Sequence, residues 1–174
     1  MARPTDTRDR ILATARELFL EKGVRDTSLQ HIADRLGITK PALYYHFASR
    51  GDLLRTIVLP LFDELEAFLD DQAGAPAEEL LAAYFDLAWR RRDVLVTILS
   101  DLAVLHELDL IARMLGVRDG LTTLLVGAGP PLDARVRATV AVGGLSDTVV
   151  RFAQEPYEQV KAAAVGAAVR ALRG

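Results

Sequence analysis

Apolar residues recur at the helical period from the start of the chain. Ile11, Leu12, Ala15, Leu18 and Phe19 mark one face of a first helix from about Thr7 to Lys22, and Gly23 stops it. Leu29, Ile32, Ala33 and Leu36 form the stripe of a second helix. Thr27 is its expected cap, with Gln30 three residues later completing a capping box. Gly37 supplies a left-handed turn residue, and Ile38 plugs the turn. Thr39 caps a short third helix with Pro41 in its first turn. Leu43 and Phe47, four apart, point back to the core, while Tyr44 and His46 point elsewhere. Ser49 caps a fourth helix that reaches Asp71, with Pro60 inside it as the expected kink.

After a break at AGAP (73–76), helical patterns follow at about 77–91, 94–105, 107–127, 132–154 and 157–172. Asp93 is an expected cap, GAGPP at 127–131 a loop and Pro156 a helix starter. No alternating strand pattern interrupts them. The fold class is therefore all-α: an N-terminal three-helix unit carrying a helix-turn-helix, residues 1–52, plus a C-terminal helical domain, residues 53–174, with about nine helices.

Composition narrows the chemistry. With 51% hydrophobic residues a core can be buried, yet no apolar run is long enough for a membrane span. The charged opening of the chain does not resemble a signal peptide. The absence of Cys removes disulfides and thiolate metal sites and fits a cytoplasmic protein. The three His residues (His31, His46, His106) make no ligand pair at helical spacing, so no metal and no cofactor are expected. No nucleophile–base pair or phosphate loop points to an enzyme. The net charge of −3 conceals an asymmetry: residues 1–56 hold ten Lys and Arg against seven Asp and Glu, and the remainder eleven against seventeen. The basic excess lies on the part with the helix-turn-helix, as a nucleic-acid face requires.

The run RILATARELFLEKGVRDTSLQHIADRLGITKPALYYHFASRGDLL, Arg10 to Leu54, closely resembles the N-terminal DNA-binding domain of TetR-family transcriptional regulators. The Phe19/Gly23 pair, the IADRLG helix-turn and LYYHF followed by a basic residue carry the likeness. It implies a ligand-responsive regulator, most simply a repressor, that binds a pseudo-palindromic operator in double-stranded DNA and is released by a small, hydrophobic effector. By position, Ser28 and Gln30 match phosphate or groove contacts, and Thr39, Lys40 and Ala42 face base edges. Tyr44, Tyr45 and His46 match residues on the DNA backbone, and Arg50 a basic phosphate contact. Physical chemistry agrees: helix N-termini attract phosphate, Lys donates to guanine O6 and N7, and Tyr and His donate to phosphate oxygens. Tyr45 also fits a core-edge aromatic, His31 an exposed helix residue, and Arg3 and Arg8 a groove-reaching arm.

The resemblance further implies a ligand cavity and a homodimer through the last two helices. Tyr84, Phe85 and Trp89 are candidates for the cavity wall, or for core. The polar triplet Ser146, Asp147 and Thr148 in an apolar helix faces either a cavity or an interface, and His106 and Arg113 are candidates of the same kind. Arg90, Arg91 and Arg92 either hold an anion or oppose a helix dipole. Gly143, Gly144, Ala163, Ala164, Gly166, Ala167 and Ala168 are small enough for close helix approach. The alternatives are a helical binding or enzyme module with a vestigial helix-turn-helix, or a ligand-independent activator.

Overall fold

A computed structural model describes residues 7–174, and its described residues form ten helices and no strand. They are α1 (Thr7–Lys22), α2 (Leu29–Leu36), α3 (Lys40–His46), α4 (Arg50–Asp71), α5 (Ala77–Arg90), α6 (Arg92–Ser100), α7 (Ala103–Glu107), α8 (Ile111–Val126), α9 (Leu132–Arg151) and α10 (Tyr157–Arg173). The all-α class holds, with one helix more than the periodicity predicts. The apolar pattern at 94–105 splits into α6 and α7 because Asp101 turns its carboxylate onto the Ala103 amide, 3.2 Å away, and starts a new helix. Asp109, at φ 56°, and the bond from Leu110 N to Leu105 O (2.7 Å) then close α7, so α8 begins at Ile111 rather than 107. Asp93 lies inside the first turn of α6 instead of capping it.

The chain divides into two compact units. One is the described part of Met1–Pro60 joined by Val96–Leu110; the other is Leu61–Leu95 with Ile111–Gly174. In the first unit, Ile11, Ala15, Leu18, Phe19, Leu29, Ile32, Ala33, Leu43 and Phe47 are all buried, most of the stripes that the spacing predicts, while Leu12 and Leu36 are half-buried. Leu53, Leu54, Ile57 and Val58 from the opening of α4 are buried too.

The cap of α2 differs from expectation by one residue. Ser28 accepts the His31 amide (3.1 Å) and the His31 ring, not Gln30, faces the Ser28 amide at 3.4 Å. Thr27 is buried and its hydroxyl donates to the carbonyls of Gly23 (2.8 Å) or Leu18 (3.2 Å). It therefore welds the α1–α2 corner, and the next hydroxyl does the capping. Gly37 ends α2 at φ 66°, where a side chain would be strained, and its amide and that of Ile38 satisfy the last carbonyls. That turn sets the angle at which α3 leaves.

In the second unit α5, α8, α9 and α10 pack together, α10 lying mainly against α9 and α5. Leu80, Leu81, Phe85, Leu121, Ala138, Ala141, Leu145 and Val149 are its deepest residues. Pro156 stands at the N-cap of α10, as the sequence suggests, and Pro131, the last residue of the predicted loop, at the N-cap of α9.

Candidate nucleic-acid interface and helical domain

The third helix is held from one side only. Leu43 is fully buried and Phe47, its C-cap, is 1% exposed, whereas Thr39, Lys40, Pro41, Ala42, Tyr44 and Tyr45 are exposed. Thr39 caps the helix by accepting the Ala42 amide at 3.4 Å. The exposed positions all lie away from the Leu43–Phe47 stripe, which follows from a seven-residue helix with two anchors four apart. Tyr45 is 87% exposed and so is not a core-edge aromatic. It meets the half-buried His46 edge-on, ring centroids 5.3 Å apart. The Lys40 ammonium rests 5.8 Å from the Tyr44 ring centroid, a contact that leaves its three N–H donors available.

Ser28 and Gln30 are exposed at the start of α2. The Ser28 hydroxyl is engaged in the cap, and Gln30 donates to Asp34 at 2.6 Å. Arg50 is half-buried: one nitrogen donates to the Val24 carbonyl at 2.8 Å and another faces Glu107 of α7, 3.4 Å from each carboxylate oxygen. In the same unit, Arg25 grips Asp101 through two bonds of 2.8 and 3.1 Å. Arg8 lies over the Phe47 ring at 5.1 Å, and Arg3 lies outside the described residues. His31 is exposed, with its role in the α2 cap.

The ligand candidates of the second unit have varied surroundings. Tyr84 is buried and its hydroxyl meets the Ser146 hydroxyl at 2.8 Å; Ser146 in turn donates to the Val142 carbonyl at 3.2 Å. Tyr84 is thus the donor in the pair, and burial pushes its phenol above the ordinary range. Phe68 lies 6.3 Å from the Tyr84 ring. Trp89 stacks on Phe85 at 5.6 Å and touches Tyr157 at 5.7 Å. Beside this aromatic group Asp86 accepts from Tyr157 (2.5 Å) and from Lys161, which holds α10 to α5.

Arg113 reaches α4, donating to Glu66 and Asp63 at 2.7 Å, and lies over the Phe62 ring. Its guanidinium holds the Glu66 carboxyl below the usual range. Arg91 does the same for Glu64, while Arg92 caps the Trp89 carbonyl and covers its ring. Two of the three consecutive arginines are therefore committed within the unit. Of the polar triplet only Ser146 is buried; Asp147 is exposed beside Arg151 at 3.7 Å, and Thr148 donates to the Gly144 carbonyl. His106 is exposed on α7 and belongs to the first unit, while Tyr84, Trp89, Arg113 and Asp147 belong to the second. Among the described residues no cluster of three His, Cys, Asp or Glu suits a metal ion, and no helix is long and apolar enough to cross a membrane.

A three-helix head whose short third helix turns its polar face outward is the architecture of a helix-turn-helix protein. Residues 11–57 match the family model described as bacterial regulatory proteins, tetR family, so this part of the chain is similar to the DNA-binding domain of that family. The transcriptional repressor BepR of Brucella suis biovar 1 (strain 1330) is 34% identical over 87 residues, which make up 49% of this chain and 36% of that protein. The chain thus spans well under two thirds of that relative's length. The structure of the TetR-family regulator PfmR from Thermus thermophilus covers 95% of this chain and 98% of its own, with a TM-score of 0.75 at 26% identity. A transcriptional regulator from Aquifex aeolicus shares the fold, with a TM-score of 0.76 at 22% identity, covering 93% of this chain and 97% of its own.

Proposed function

We propose that the chain is a homodimeric, ligand-responsive regulator of transcription, acting as a repressor on a pseudo-palindromic operator in the cytoplasm, and that it is not an enzyme. The observation that carries this reading is α3: two buried anchors, and an exposed outward face of Thr39, Lys40, Ala42, Tyr44 and Tyr45 that no other element covers among the described residues. In this reading Lys40 donates to a base edge, with Thr39 and Ala42 beside it. Tyr44, Tyr45, His46, Ser28, Gln30 and Arg50 address the DNA backbone. Replacing Lys40 by Ala should cost about 1–3 kcal/mol of operator binding and relax base preference at one position. Binding titrations on operator variants test it, and equal losses on all sequences would make Lys40 a phosphate contact.

A dimer is supported by an exposed apolar face on α9 that no other element covers among the described residues. Leu132, Val136 and Val140 are 72%, 52% and 59% exposed at four-residue spacing. Gly143 and Gly144 continue that face, and a Cβ on either would meet nothing within 4 Å. Glycine inside a helix costs about 1 kcal/mol relative to alanine, so two without an internal reason fit a close approach by another helix. We assign that helix to a second copy, with α10 alongside. Two copies then place their third helices in successive major grooves, roughly 34–36 Å apart or at a longer spacing.

The effector would enter the second unit near Tyr84, Phe68 and Trp89. The Tyr84 hydroxyl there is already paired with Ser146, which favours a hydrophobic molecule. Arg113 is engaged by two carboxylates, and Asp147 and His106 are exposed, so Tyr84 and Trp89 are the stronger ligand candidates. Binding lowers operator affinity only if the effector prefers a dimer with differently placed heads. Residues 61–71 of α4 lie in the second unit and 50–60 in the first, so Pro60 stands where that helix changes unit and would flex in the response.

A further inference from the structure

The pairing of Arg50 carries a consequence that rests on the DNA-binding reading above. Arg50 opens α4, where a helix N-terminus and a guanidinium together make an anion site. That site is taken in this structure by an internal anion. Glu107 of α7 lies 3.4 Å from the Arg50 guanidinium through both oxygens, and a Cβ built on Gly51, in the same first turn, would lie 3.9 Å from its Oε1. The carboxylate therefore lies beside the first turn of α4, against the guanidinium that would meet a phosphate there. Its contacts are long and partly exposed, 31% for Arg50 and 43% for Glu107, so they are displaceable. Arg50 is meanwhile aimed by a shorter bond to the Val24 carbonyl, 2.8 Å, that does not involve Glu107. Residues 96–110 are the only part of the chain beyond α4 that belongs to the first unit. The two-bond grip of Arg25 on Asp101 keeps that segment in place whether or not Glu107 holds Arg50.

We propose that Glu107 competes with operator phosphate for Arg50, so that the α6–α7 segment acts as a built-in counter-charge that weakens DNA binding. The segment is continuous at both ends with the second unit. A change there that moved Glu107 would alter operator affinity without touching α3.

The test is E107Q in the full chain, compared with the unchanged protein on the operator by fluorescence anisotropy at about 50 and about 200 mM salt, the range over which phosphate contacts are most visible. Gln keeps the shape and removes the charge. The expected result is several-fold tighter binding at the lower salt. The affinity loss between the two salts should be roughly 3.5-fold larger than for the unchanged protein, the effect of one added phosphate contact. In an R50A background E107Q should change nothing. Unaltered or weaker binding by E107Q, or a gain that persists in full without Arg50, overturns the competition. If the unchanged protein itself shows no salt-dependent operator binding, the functional reading fails and this inference falls with it. A melting temperature for each variant separates a loosened fold from altered binding.

Discussion

Replacing Val140 by Glu is expected to split the dimer and remove operator binding with it. Val140 is 59% exposed in the isolated chain and sits between Val136 and the glycine pair on the outward face of α9. A twofold interface presents each residue to the partner's copy of the same patch, so one substitution introduces two carboxylates. An unpaired charge left buried costs about 3–5 kcal/mol, enough to raise a dimer dissociation constant by about two orders of magnitude or more. The folded subunit should survive, because Val140 lies outside its own subunit's core. Light scattering should report a monomer at micromolar concentration with an unchanged melting profile, and anisotropy should report the loss of operator affinity that follows when two half-sites no longer bind as one. A Val140→Glu protein that stays dimeric would remove α9 from the interface.

The second large effect is expected from Leu43→Ala. Leu43 is fully buried, and with Phe47 it anchors α3 to the core. Leu-to-Ala changes at such sites cost about 2–5 kcal/mol, a large share of the stability of a small unit. Urea unfolding of the full chain should show an early loss of the N-terminal unit, and operator binding should weaken because α3 no longer holds its angle. Tyr45→Ala makes the contrast: at 87% exposure it should leave unfolding unchanged and weaken DNA binding alone. If both substitutions act only through stability, Tyr45 has no contact role.

The first four helices were legible because their signals are local. Stripe, cap and glycine agree at each end, and the predicted bounds of α1 and α4 match the structure. The capping error at α2 shows the limit of such signals. Thr27 and Ser28 are adjacent and equally suited to the task, and which of them caps depends on a corner where the Thr27 hydroxyl is claimed by α1 carbonyls. The split of the sixth helix was missed because the apolar period runs through the break, although Asp101 starts α7 locally through the Ala103 amide; Asp101 is also paired to Arg25, 76 residues away. Because such a pairing is long-range, nothing in the sequence indicated that residues 96–110 pack with the N-terminal unit, and His106 was grouped with residues of the other unit. The outward face of α3 followed from the spacing of Leu43 and Phe47. The partners of Arg50, Arg91 and Arg113 could not be read, because a basic residue in a sequence carries no sign of which carboxylate the fold brings to it.

Selection of bound DNA from a random double-stranded pool, repeated at two salt concentrations, weighs the whole reading at once. The expected result is enrichment of one inverted repeat whose half-sites match the spacing of two α3 helices, with affinity falling steeply as salt rises. Weak binding with no enriched sequence would contradict it, and would mean that the outward face of α3 does not read DNA.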